Sequence, residues 1–169
     1  MSDESTLRLE WMSPAELADN PANWRTHPDA QVAALTDVIS EVGWAGACLY
    51  NERTGRLIDG HARKKLAHAQ GTEKIPVLIG SWDEATEKKI LATLDPLAAL
   101  AEADKGKLDA LLREVETGSE ALSAMLAKLA EDAGVIPPDF QPVGADEQGR
   151  LDQKSPITCP HCRKEFVPA

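Results

Sequence analysis

An apolar run that stops at Asp-Gly and restarts as a cationic helix constrains this 169-residue chain more than any other feature. Leu57-Ile58-Asp59-Gly60 reads as the end of a strand and a tight turn. His61-Ala62-Arg63-Lys64-Lys65-Leu66-Ala67 reads as the helix that follows. The first N–H groups of a helix have no partner inside it and lie at the positive end of its dipole. A strand, a glycine turn and a helix start carrying cationic side chains therefore make a ready site for an anion such as phosphate.

The flanking sequence supplies a sheet and further helices. Leu7, Leu9 and Trp11 alternate as in a strand, and Ser13-Pro14 with Glu16 opens a short helix. Residues 20–29 are a loop holding Arg25 and His27. Val32, Leu35, Val38, Ile39 and Val42 recur at helical spacing over 29–42, and Gly43 ends that helix. Cys48–Tyr50 and Arg56–Ile58 form two strands joined by a turn over 51–55. The helix after Gly60 runs to about Gln70. Ile75–Ile79 is a further strand, whose Pro76 suits a strand start or an edge. Ser81-Trp82-Asp83-Glu84 has the form of a capping box for a helix that Asp95-Pro96 should break. Two more helices, 104–116 and 119–133, carry leucine-rich stripes of the kind that pack against neighbours.

Composition narrows the class. Apolar residues make up 43% of the chain, enough for a core, and the net charge of −10 excludes a general nucleic-acid coat. The acidic excess lies mainly in residues 81–150, so bases are relatively concentrated around the Gly60 turn and at the C-terminus. The N-terminal stretch is acidic and lacks the apolar core of a secretory signal, and no run approaches the ~18 apolar residues of a membrane span. Three cysteines, two of them in a CxxC, argue for a reducing compartment; a cytoplasmic protein with no membrane partner is expected.

Several motifs then fall in a recognisable order. Asn23-Trp24-Arg25-Thr26-His27-Pro28, the helix ending at Gly43, Asp59-Gly60-His61-Ala62-Arg63 and Thr93-Leu94-Asp95-Pro96 together resemble the ParB/sulfiredoxin superfamily, in particular short ParB N-terminal-like proteins of phage and bacterial genomes. The resemblance spans roughly residues 7–115. It implies an α/β (α+β) fold: a small mixed sheet with flanking helices, over residues 1–103, that binds a nucleoside triphosphate, CTP or ATP, with Mg²⁺. On this chain it implies Gly60, Arg63 and Lys64 at the phosphates, Arg25 and His27 as a second cationic pair, and Gly43 at the first nucleotide-contacting segment. His61 would be a donor or acid/base, and Asp59 a metal holder or a helix cap. The family's Gly-Glu-Arg-Arg is Gly-His-Ala-Arg here, and the reductase's catalytic Cys has no counterpart, so sulfinic-acid reduction is not expected. The partition proteins' helix-turn-helix domain has no basic equivalent in the helical extension 104–134.

A linker over 135–156 leads to a tail, 157–169, built on Cys159-Pro160-His161-Cys162. This is a zinc-knuckle half site: Cys159 and Cys162 can grip one tetrahedral Zn²⁺, with the remaining ligands from a second copy in a homodimer or from another protein. Three functions fit the whole: an NTP-dependent switch or DNA-associated adaptor of phage or bacterial DNA metabolism; a phosphoryl-transfer enzyme, weak NTPase or nuclease using Asp59 and His61; or a non-catalytic module recruiting a DNA-modifying protein such as a methyltransferase.

Overall fold

The computed structural model describes residues 7–135 and the backbone of Ile157–Thr158 and Glu165–Phe166. Four strands, β1 (Arg8–Met12), β2 (Cys48–Asn51), β3 (Arg56–Asp59) and β4 (Ile75–Gly80), form one mixed sheet in the order β1-β4-β2-β3. β4 runs antiparallel to β1 and parallel to β2, and β2 and β3 make an antiparallel hairpin. The parallel step is the crossover that the Gly60 joint makes possible, because α2 (His61–Ala69) carries the chain from β3 back to β4. Leu17, Cys48, Leu57, Ala67, Ile75, Val77 and Ile79 form the core on the face covered by α2 and the 3₁₀ turn Pro14–Glu16, with Met12, Trp44 and Tyr50 packed around them. Fully burying a side chain such as Leu57 or Ile75 contributes about 1.5–3 kcal/mol.

Most elements end where local chemistry says they should. Ser13 and Glu16 form a reciprocal capping box at the 3₁₀ turn. α1 spans Asp29–Val42 and stops at Gly43, whose φ of 79° suits glycine. α4 (Lys105–Glu114) and α5 (Glu120–Asp132) start on the side-chain oxygens of Asp104 and Ser119. α5 packs on α1 and α4, and Ser119 and Thr117 also bond Asp37 and Glu41 of α1. The helical extension thus belongs to the same compact unit as the sheet.

Two local expectations are corrected. α3 runs Glu84–Ala99, straight through Pro96. That proline lies in the last turn, where its missing N–H forfeits one bond, and its carbonyl still accepts from Leu100 N–H at 3.2 Å. The cap of α3 is Asp83, accepting from Thr86 N–H at 2.7 Å, two residues beyond the expected Ser81. Of the two places expected for Pro76, the structure has the strand start: it is the second residue of β4, which lies between β1 and β2. The tail forms a second unit, in which Ile157–Thr158 pairs antiparallel with Glu165–Phe166. Cys159 and Cys162, the zinc expectation built on them, and most of the 135–156 linker lie outside the described residues.

Candidate functional site: an arginine-lined cleft at the start of α2

The cleft begins with a register shift. Leu49 pairs with Asp59 but Tyr50 pairs with Leu57, so Ile58 is an extra residue in β3. A bulge of this kind re-aims the side chain that follows it. Here it delivers Asp59 to the rim of a cavity of about 180 Å³, also lined by Asn23, Arg25, His27, Gln31, Gly60, His61 and Arg63. Gly60 is left-handed at φ 91°, and a Cβ there would stand 2.5 Å from Cys48 Sγ. Glycine is thus required twice at this turn, by conformation and by the closeness of β2.

Asp59 is the electrostatic centre. Its carboxylate accepts from Arg63 Nη2 at 2.7 Å and lies 3.6 Å from Arg25 Nη1, while Arg25 also pairs with Asp95 of α3. Two guanidiniums therefore converge on one carboxylate, the arrangement that suits a planar or tetrahedral oxyanion. The side chains of Arg25, Arg63 and Asp59 are about one-quarter exposed, so the pairs remain open to exchange. Arg63 lies over Gly46, where a Cβ would be 2.8 Å from Nη1.

The loop carrying Arg25 is shaped by two asparagines. Asn20 Oδ1 accepts from Ala22 N–H at 3.0 Å, and Asn23 Oδ1 accepts from Arg25 N–H at 3.3 Å. His27 Nδ1 meets Gln31 Oε1 at 3.1 Å. Trp24 is 61% exposed, although its indole N–H reaches Leu91 O at 3.3 Å. Its ring lies 5.4 Å from the Arg25 guanidinium, beside a wider hollow of about 550 Å³ that Asp95 also lines.

His61 lines the cleft but is 6% exposed, and its Nε2 accepts from Asn20 N–H at 3.4 Å. Burial holds its pKa below the ordinary 6.5, so the ring is neutral at pH 7 with its proton on Nδ1. Lys64 is not brought to the cavity: it bonds Asp19 at 2.9 Å and borders a separate hollow with Lys65 and His68. Gly43 serves as the stop of α1 and is not among the cavity's lining residues. Cys48 is fully buried, its thiol pushed up to about 11 by burial. Among the described residues there is no group of three or more His, Cys, Asp or Glu side chains arranged to hold a metal ion. None of the described helices is long and apolar enough to cross a membrane.

Behind the cleft lies a polar cluster that the sequence did not announce. Glu87 of α3 is 2% exposed and accepts from Asn20 Nδ2 at 2.8 Å, from Asn51 Nδ2 at 2.6 Å and from Thr54 Oγ1. Asn51, also buried, accepts from Trp82 N–H at 2.9 Å and Arg53 N–H at 3.2 Å. Burial alone would raise the Glu87 pKa, but the bonds from Thr54, Asn51 and Asn20 outweigh it and hold the carboxyl below the usual range. The cluster fixes Asn20, and through its backbone N–H the ring of His61.

A four-stranded mixed sheet with a cationic cleft at a strand–glycine–helix joint defines a small α/β domain of the ParB N-terminal type. One relative fixes the family. The ParB-like nuclease domain-containing protein YnaK of Escherichia coli (strain K12) is 32% identical over 84 residues, which are 48% of this chain and 95% of YnaK. The chain belongs to the ParB-like domain family. No family model matches the sequence. Among solved structures, the C-terminally truncated chromosome-partitioning protein ParB of Caulobacter crescentus, complexed with CTP-γ-S, superposes with a TM-score of 0.51 at 18% identity. That likeness covers 64% of this chain and 61% of the partition protein, so the chain spans about three-fifths of it. A pNOB8-like ParB N-domain gives a TM-score of 0.48 at 14% identity, over 99% of this chain and 56% of that one.

Proposed function

We propose that the cleft at the start of α2 binds the phosphates of a nucleoside triphosphate, CTP or ATP with Mg²⁺, and that the protein works as a nucleotide-dependent switch or DNA-associated adaptor. The observation that carries this reading is the convergence of Arg25 and Arg63 on Asp59 at a helix N-terminus. In the free protein Asp59 stands where an anionic ligand would, and an incoming phosphate offers the guanidiniums more charge and more acceptor oxygens. The CTP analogue bound by the Caulobacter protein supports the choice of nucleotide. The test is a thermal melt against CTP, ATP, GTP and inorganic phosphate, with and without Mg²⁺. A ligand at about 100 Kd should add ~2.7 kcal/mol. No shift with any of them would remove the proposal.

A second reading, phosphodiester cleavage, is favoured by the name of YnaK and by Asp59 and Asp95 flanking Arg25 in the cleft. Incubation of supercoiled plasmid with Mg²⁺ or Mn²⁺ tests it. Nicking that survives both Asp59→Asn and Asp95→Asn would rule out this site as its source.

A further inference from the structure

The two outer strands of the sheet are finished differently. β3 is covered on its free side: Leu57 N–H donates to Ala18 O at 2.8 Å, and Ala18 bridges Arg56. β1 has β4 on one side and, among the described residues, no strand on the other. Its amphipathy is also reversed. Arg8 and Glu10 lie opposite Ile79 and Val77, on the face that carries the core, whereas Leu9 and Trp11 lie opposite Leu78 and Pro76 on the other face. Leu7, Leu9 and Trp11 are consequently 49%, 60% and 57% exposed beside an edge that no strand among the described residues pairs. An outer strand whose backbone groups no neighbour pairs is a template for another strand.

We propose that the partner is a second copy of this chain, joined through antiparallel pairing of β1 with β1 about a twofold axis at Leu9. The sequence Leu7-Arg8-Leu9-Glu10-Trp11 is complementary to itself in that register. Arg8 falls opposite Glu10 of the other copy, Glu10 opposite its Arg8, and Leu7 opposite its Trp11. Centring the axis on Arg8 or on Glu10 would instead set like charges face to face, which is unfavourable. Charged residues on an edge usually discourage pairing. Here they are of opposite sign and two residues apart, so the symmetric pairing matches them. In the single chain they bond each other at 2.7 Å, and Arg8 also bonds Glu52 at 2.6 Å; both pairs are nearly half exposed and free to exchange. The junction continues the four-stranded sheet into eight strands and sets Leu7, Leu9 and Trp11 of the two copies side by side on one face. It stands independently of what the Arg63 cleft binds.

Sedimentation of the full chain tests this. The native protein should reach twice the 18.2 kDa chain mass with rising concentration. Arg8→Glu and Glu10→Arg should each sediment as monomers, because each sets like charges opposite one another. An equimolar mixture of the two should recover the dimer. One chain then carries acids at both positions and the other carries bases at both, so opposite charges face each other at each pairing. Leu9→Lys, which places two ammonium groups on the axis, should be monomeric and serves if either charge variant fails to fold. A native chain that stays monomeric overturns the proposal. So does a dimer that persists in any of the three variants, as one held by the CxxC tail would, or a mixture that stays monomeric.

Discussion

The molecule holds two carboxylates among converging donors, and they differ in nearly every property that matters. Glu87 is sealed from water, its partners are chiefly neutral amides and a hydroxyl, and no buried side-chain polar atom among the described residues lacks a bond. Asp59 is a quarter exposed and its partners are two guanidiniums. Exchanging the first set would strand buried donors, whereas water or an anion can replace the second at small cost. The contrast teaches that the Glu87 cluster is framework and the Asp59 pairs are occupancy.

Breaking the framework should have the largest effect. Glu87→Leu leaves the Asn20 amide and the Thr54 hydroxyl without their acceptor and the Asn51 amide with Trp82 O alone, and should lower the unfolding free energy by about 3 kcal/mol in a urea titration. A loss under ~1 kcal/mol would mean that the cluster is solvated and the contrast false. On the other side, Arg63→Ala should leave the urea midpoint nearly unchanged. It should weaken nucleotide binding by roughly thirtyfold, about 2 kcal/mol, in calorimetry. Asp59→Asn removes the competing carboxylate. In EDTA it should bind inorganic phosphate about tenfold more tightly, ~1.4 kcal/mol, and weaker binding would show that Asp59 itself serves the ligand.

A smaller effect comes from pH. The fold keeps His61 below its ordinary 6.5 and Glu87 below its ordinary 4.5, so the folded state binds fewer protons than the unfolded one in both windows. Stability should be full above about pH 6.5, decline gently as His61 is forced to charge, and fall again in the carboxylate range. The upper phase should vanish in His61→Gln, as a melting series from pH 8 to pH 4 would show. Smallest of all, Lys64→Ala should change nucleotide affinity by less than about twofold, since Lys64 faces Asp19 and not the cavity.

What was legible in the sequence was local. The Gly60 joint, the 29–42 helix with its glycine stop and the 51–55 hairpin follow from turn chemistry and periodicity, and the structure has each. Arg25, His27, Asp59 and Arg63 could be named because motif order brings the 23–28 loop to the Gly60 turn, and all four line one cavity. The Glu87 cluster is not visible in the sequence because Asn20, Asn51 and Thr54 reach Glu87 across 33 to 67 positions and each is a common surface residue by type. The direction of Lys64 was hidden for a related reason: its choice between cleft and Asp19 depends on where residue 19 passes. Pro96 does not break α3 because it sits in the final turn, where little of the helix depends on its missing N–H.

The contact between Gly60 and Cys48 has a practical consequence. With a Sγ that leaves no room for a Cβ on the turn, the thiol is covered by the same backbone that starts α2. A labelling reagent can reach it only when that joint opens. In a Cys159→Ser, Cys162→Ser background, the rate at which Cys48 reacts becomes a clock for the opening of the cleft. A nucleotide that closes the cleft should slow that clock in proportion to its occupancy, with no need for any catalytic readout.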